Sequence, residues 1–355
     1  MKILITGICG FVGSSVARRL LAASDDVELV GLDNFSRPGS EGNRAALIDL
    51  GIDVRHGDLR CREDVEALPQ VDWIVDAAAN PSVLAGIDGG SRQVVENNLT
   101  STINLLETCR RTGAGFILLS TSRVYSIDAL NAVPLLEEDR TFVVDASRWL
   151  PDGLSEEGIS ESFSTSAPVS LYGATKSASE SLALEYGAAF DFPVWIDRCG
   201  VMAGAGQFAR ADQGIVAFWI HSFCEGSPLR YIGYGGTGHQ TRDCFHPHDL
   251  ADLLRKQMSD YDAGGDRIYN LGGGRPNAFS LATLTAWCED RYGAGDRAIG
   301  SVPETRAFDV PWVVMDASEA AERWTFRPSI SKWEIFDEIA RHAEANRTWL
   351  TRSAA

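Results

Sequence analysis

"MKILITGICGFVGSSVARRLL", residues 1–21, decides the fold. Ile3, Leu4 and Ile5 form a short apolar run of strand length, and an amphipathic stretch of helical period follows. Gly7, Gly10 and Gly13 lie between them, three residues apart. In a strand–turn–helix of this kind the first glycine permits the tight turn and the second lets a pyrophosphate approach the backbone. The third lets helix and strand pack closely. The helix start then offers free N–H groups and the positive end of its dipole to the phosphates. A glycine triplet alone is a weak signal, and two carboxylates strengthen it. Asp33 ends the second apolar run, twenty residues beyond Gly13. A carboxylate there accepts from a ribose 2′-hydroxyl and repels a 2′-phosphate, which selects NAD over NADP. Asp58, in "HGDLR", is placed to meet the adenine amino group. The plain alternatives are a turn residue for Asp33 and a helix cap for Asp58. Arg37 is compatible with a 2′-phosphate. Cofactor contacts are expected from Gly7, Gly10, Phe11, Val12, Gly13, Asp33, Asn34, Asp58, Leu59 and Ala78.

Outward from this stretch, short apolar runs alternate with longer amphipathic ones. Residues 2–6, 28–33, 52–56, 72–77 and 115–120 read as strands, and 11–23, 41–50, 62–68 and 91–112 as helices. Alternation with fully apolar strands predicts a parallel sheet covered on both faces. The expected fold class is α/β: a Rossmann-type doubly wound parallel sheet with a smaller C-terminal α/β lobe. Residues 127–167 are polar and read as one long loop; a helix is expected at about 168–190 and a strand in "PVWIDRCG". The expected division is 1–199 with 236–258 for the dinucleotide and 200–235 with 259–355 for a second ligand.

The chain has 355 residues and a formal net charge of −17, with 45% hydrophobic and 23% charged residues. Such an acidic surface repels nucleic acid and anionic membranes, while a local basic pocket can still take a small anion. No apolar run approaches ~18 residues, so no membrane span is expected. Seven scattered cysteines, none spaced as C-x-x-C, read as buried thiols of a reducing, cytoplasmic compartment. His246 and His248 flank Pro247 at a strand-to-helix junction, and no third ligand is spaced for a metal. "NLGGG", 270–274, reads as a turn, with a phosphate nest as the alternative.

The fifth strand ends in "LLSTSRVYS", and "SLYGATKSASESLALEYG" follows later. Tyr172 and Lys176 are four apart on a helix and share a face. A nearby ammonium and a positively charged nicotinamide both favour phenolate, lowering the phenol from its reference near ~10. Thr121, at the strand end, is placed to steady the proton transfer. Asp243 is expected to pair with or orient its neighbour Arg242, a bidentate candidate for a diphosphate.

These motifs resemble the extended short-chain dehydrogenase/reductases that epimerise or dehydrate nucleotide sugars. T-G-x-x-G-F-x-G at 6–13, S-T-S-x-V-Y at 120–125, Y-G-A-T-K at 172–176 and "TRDCFHPHDLADLL" at 241–254 carry the likeness in order, over nearly the whole chain. The resemblance implies NAD as cofactor, Tyr172 as general base, Lys176 on the nicotinamide ribose and Thr121 orienting the sugar hydroxyl. It also implies Asn98 supporting the lysine. Asn80, Ser122, Gln207, Gln213 and Arg242 then meet a nucleotide-diphosphate sugar, and a homodimer or homotetramer is implied. "GQFARADQGIVAFWI", 206–220, is similar to a narrower group, the CDP-paratose 2-epimerases. The chain departs from the family at Asp76, where a histidine is common, at Ala203–Gly206, and at Pro311, where an arginine is common. A 4,6-dehydratase adds an Asp-Glu pair after the threonine; Ser122 and Arg123 stand there instead. A 4-epimerase, a UDP-glucuronate-type decarboxylase and a non-catalytic NAD sensor remain the alternatives.

Overall fold

Ile3 and Ile5 face one side of their strand and Leu4 the other, and all three are buried. That is the signature of a strand covered on both faces. The computed structural model describes residues 1–87, 89–260, 265–293 and 298–354. Among these, the largest sheet has seven parallel strands: β1 (Lys2–Thr6), β2 (Glu28–Asp33), β3 (Asp53–His56), β4 (Trp73–Asp76), β5 (Gly115–Thr121), β6 (Val194–Cys199) and β7 (Ile268–Leu271). Their order is β7-β6-β5-β4-β1-β2-β3, a doubly wound α/β sheet.

One face carries the helices Phe11–Ala23 and Pro247–Ser259. Val16, Ala17, Leu20, Leu250 and Leu254 pack with Ile3 and Ile5 there. Arg19 clamps Asp252 bidentately across the pair, at 3.0 and 2.7 Å. The other face carries Ser101–Thr112 and Ser170–Phe190, whose Leu105, Leu106, Cys109 and Ala183 pack with Leu4, Ile74, Phe116 and Leu118. The helix expected at 91–112 is α-helical over Ser91–Val95 and Ser101–Thr112 but widens to a π turn over Glu96–Thr100. Such turns recur at functional sites.

The segment 127–167 is not one loop. Ser126 caps a short helix, Ile127–Asn131, and Leu135–Glu138 pairs antiparallel with Thr141–Val144. Its scattered apolar residues, Val133, Val144, Leu154, Ile159 and Phe163, pack on Val310, Trp312, Val314 and Met315.

The second lobe has a small sheet of Val201–Met202, Thr241–Phe245, Ala278–Ser280 and Trp312–Val313, and a pair, Arg230–Ile232 with Gly300–Val302. The helices Ile215–Glu225, Leu281–Tyr292 and Lys332–Ala345 close its core. The chain crosses between lobes more often than the sequence division allows. β7 lies beyond residue 258 yet forms the edge of the large sheet, and Thr241–Phe245 lies within 236–258 yet belongs to the small one. No helix among the described residues is long and apolar enough to cross a membrane.

Candidate active site

The strand order reverses between β1 and β4, and open α/β sheets bind ligands in the crevice beyond such a point. A cavity of about 1040 Å³ opens there and runs between the lobes. The glycine loop forms its floor. Gly7 N donates to Leu32 O and Gly10 N to Gly7 O, each at 2.9 Å, so the chain turns at once into the helix. A Cβ on Gly13 would stand 2.4 Å from Gly7 O. The first helical turn keeps its N–H groups without intrahelical acceptors. Asp33 accepts from Cys9 N at 2.9 Å and Phe35 N at 2.8 Å, and burial pushes its carboxyl above the usual range. A cradle that admits only glycine, unpaired N–H groups and a fixed carboxylate at the end of β2 together fit a dinucleotide. Asp58 also lines the cavity, where Arg60 pairs with it at 2.6 Å and pulls it down to about 2; Asn34 donates to it at 3.4 Å. Phe11, Val12, Leu59 and Ala78 line the same wall.

β5 ends at Thr121, and the helix Ser170–Phe190 brings Tyr172 against it. Close approach requires Gly173, where a Cβ would lie 2.3 Å from Arg123 O. Thr121 favours ionisation of the Tyr172 phenol, and both line the cavity. Lys176 is behind the wall, 1% exposed, donating to Leu119 O at 2.9 Å. The lowered phenol expected from the sequence is not a property of the chain alone. Burial pushes Tyr172 up to about 12, with Thr121 and Arg123 pulling the other way. Burial also pushes the Lys176 ammonium down. Asn98 sits on the π turn and does not bond to Lys176. Its side chain accepts from Asn80 N at 2.8 Å and donates to Thr175 Oγ1 at 3.1 Å, tying β4's outgoing loop to the tyrosine helix.

Asn80, Ser122, Gln207, Gln213 and Arg242 all line the cavity. Arg242 donates to Thr241 O at 2.6 Å and Val310 O at 2.7 Å, and its ion pair with Asp309 spans 3.4 Å. Asp243 does not orient it. Asp243 accepts from Gly274 N at 2.9 Å, so the 270–274 turn holds a carboxylate of this chain rather than a phosphate. His246 caps the following helix, accepting from His248 N at 3.1 Å, and its other nitrogen faces Glu338 at 3.2 Å. Gln213 accepts from Arg37 at 2.8 Å. Sequence reasoning missed Arg123 and Arg306 as cleft cations. Neither stands in a residue pattern that marks an anion site.

The NAD dependent epimerase/dehydratase family matches residues 3–272. A CDP-paratose 2-epimerase from Salmonella typhi is 30% identical over 343 residues, covering 93% of this chain and 96% of that protein. A dTDP-glucose 4,6-dehydratase from Streptomyces antibioticus is 26% identical over 362 residues, covering 98% of this chain and 94% of that one. Among solved structures, a UDP-glucuronic acid 4-epimerase from Bacillus cereus superposes with a TM-score of 0.76 at 23% identity, over 97% of this chain and 99% of that one. The UDP-glucose 4-epimerase of Thermotoga maritima gives 0.77 at 19%, over 98% and 99%. These two likenesses speak to the fold.

Proposed function

Because the chain belongs to the NAD dependent epimerase/dehydratase family and NAD is its cofactor, we propose that it epimerises a nucleotide sugar through a transient keto-sugar. The finer reading is a CDP-paratose 2-epimerase, supported by the 30% identical relative that matches over 93% of this chain and by the Gln207–Gly214 element at the cleft. The glycine loop and Asp33 would hold NAD, which when bound would supply a reversible hydride acceptor for a sugar carbon. Tyr172 Oη takes the proton of the sugar hydroxyl and gives it back. Thr121, beside that phenol at the end of β5, aligns the hydroxyl. Lys176 adds positive charge behind the phenol, and Arg242 and Arg123 balance the substrate diphosphate.

One observation carries epimerisation over dehydration. Arg123 stands beside the Thr121–Tyr172 couple, where eliminating water calls for a proton-donating carboxyl. The cleft carboxylate that acts on Arg123, Asp309, is engaged with Arg242 and with Val310 N.

The test is NMR of CDP-paratose incubated with the purified protein. Conversion to CDP-tyvelose is expected, with a deuterium placed on carbon 2 retained, and Tyr172→Phe inactive. Loss of the label to solvent would sink direct hydride return. Elimination of water would make the protein a dehydratase. Inversion of a UDP-sugar at carbon 4, or carbon dioxide from UDP-glucuronate, would assign the same site to those reactions. NAD binding without any turnover would leave a sensor. Sedimentation velocity tests the expected dimer or tetramer.

A further inference from the structure

Lys176 poses an electrostatic problem. Its ammonium is 1% exposed and donates to Leu119 O, with burial favouring the neutral amine. An ammonium carries three donors and is costly to desolvate. As a neutral amine it would lend the phenol no positive charge. Three titratable groups act on its charge. Glu180, one turn further along the same helix, is held bidentately by the buried Arg198, at 2.8 Å for the closest contact, so its charge is cancelled locally. Cys199, from β6, is kept a neutral thiol by burial. Asp76, from β4, is different. It is 1% exposed and opposite Leu118 in the β4–β5 register, one residue before the carbonyl that Lys176 binds. Thr6 Oγ1 donates to one carboxylate oxygen at 2.9 Å, and Thr102 Oγ1 stands 2.8 Å from the other, sharing its proton with Asn98 O at 2.9 Å. Thr6 is itself fixed by the N–H groups of Ala77 and Ala78, both at 3.0 Å. Hydroxyl donors bring no positive charge to a carboxylate.

We propose that Asp76 is the buried counter-charge that keeps Lys176 an ammonium, a positioning residue that acts on the reaction through the lysine. The inference rests on the reading of Tyr172 and Lys176 as the reacting pair. It also gives a purpose to a residue that departs from the histidine common in the family.

The chain has only four lysines, Lys2, Lys176, Lys256 and Lys332. Protein labelled with carbon-13 at lysine Cε therefore gives a resolvable spectrum, and Lys176→Met assigns the signal. The NAD-loaded chain is titrated as wild type, Asp76→Asn and Glu180→Gln. Lys176 is expected to be charged at neutral pH in wild type and to lose its proton at least about tenfold more readily in D76N. E180Q is expected to shift it less. Asp76→Ser is the second variant should D76N not fold, with the same shift expected. Equal titration of wild type and either Asp76 variant overturns the proposal, as does a neutral Lys176 in wild type at neutral pH. A shifted lysine together with unchanged turnover in Lys176→Met would leave the counter-charge standing and remove the catalytic reading instead. With both correct, D76N loses kcat above the pH at which its own Lys176 titrates.

Discussion

Replacing Gly173 by alanine tests whether the phenol is held against the strand end by backbone contact. The new Cβ would lie 2.3 Å from Arg123 O and 3.2 Å from Arg123 C and Val169 Cβ. Relief to 3.0 Å, about the closest such atoms come, demands at least 0.7 Å of movement. Neither side yields freely. Arg123 N is tied to Thr121 Oγ1 at 3.2 Å, and Gly173 N to Ser170 Oγ at 3.2 Å. The helix start must therefore move, and Tyr172 moves with it. Misplacing a reacting group by about 1 Å costs on the order of 100-fold. We expect kcat to fall about 30- to 100-fold, or ~2–3 kcal/mol in the barrier. Stability should change less, because overpacking of about 1–3 kcal/mol is offset by about 1 kcal/mol from alanine's helix propensity. NAD affinity by calorimetry should stay near wild type, since the glycine loop is untouched. A variant with normal kcat, or one whose NAD affinity falls as far as its kcat, would refute the reasoning.

Three other outcomes follow from the buried charges. Asp33→Asn leaves one of two N–H groups without its acceptor, so NAD affinity should fall by about 1–3 kcal/mol and discrimination against NADP should relax, both read by calorimetry. Arg198→Met leaves the Glu180 carboxylate buried and uncompensated. A loss of about 3–5 kcal/mol in denaturant unfolding is expected, part of it recovered by adding Glu180→Gln. Asp197, Asp243 and Glu161 are each pushed up to about 7, chiefly by burial. Between the unfolded carboxyl range and about pH 7 the folded chain binds more protons than the unfolded one. Their contribution is thus fully present below about pH 4 and is lost as pH rises through about 7. Asp197→Asn should flatten that part of the melting temperature's pH dependence, and an unchanged slope would count against it.

The opening strand, glycine loop and helix were legible because their signal is local. A strand of period two, fixed glycine spacing and a helix of period 3.6 occupy 22 consecutive residues, Lys2–Ala23, and the structure ends these elements where the sequence does. The hairpin and short helix inside 127–167 were not legible. Their apolar residues follow neither period, since the partners that bury them lie at 310–315. The same limit governs the site. Tyr172 and Lys176 declare themselves by spacing and Arg242 by its motif, whereas Arg123 and Arg306 join them from segments that no local pattern marks. Adjacency misled in one case. Neighbours on a strand point to opposite faces, so Arg242 faces the cavity while Asp243 faces the Gly273–Gly274 turn.

Arg37 shows how the structure decides a point that the sequence leaves open. Four residues from Asp33, it is chemically suited to a 2′-phosphate, yet its guanidinium donates to Gln213 Oε1 and Phe208 O on the opposite lobe. Ser82, from the loop after β4, bonds Asp212 of the same element at 3.0 Å. Both rims of the crevice are thereby fastened to one segment, 208–213, that also lines the cavity. An arginine committed to that bridge is withdrawn from the 2′-position, which leaves the Asp33 carboxylate to set NAD preference. In the epimerisation proposed above, a crevice fastened on both sides would slow loss of the reduced cofactor between the two hydride transfers.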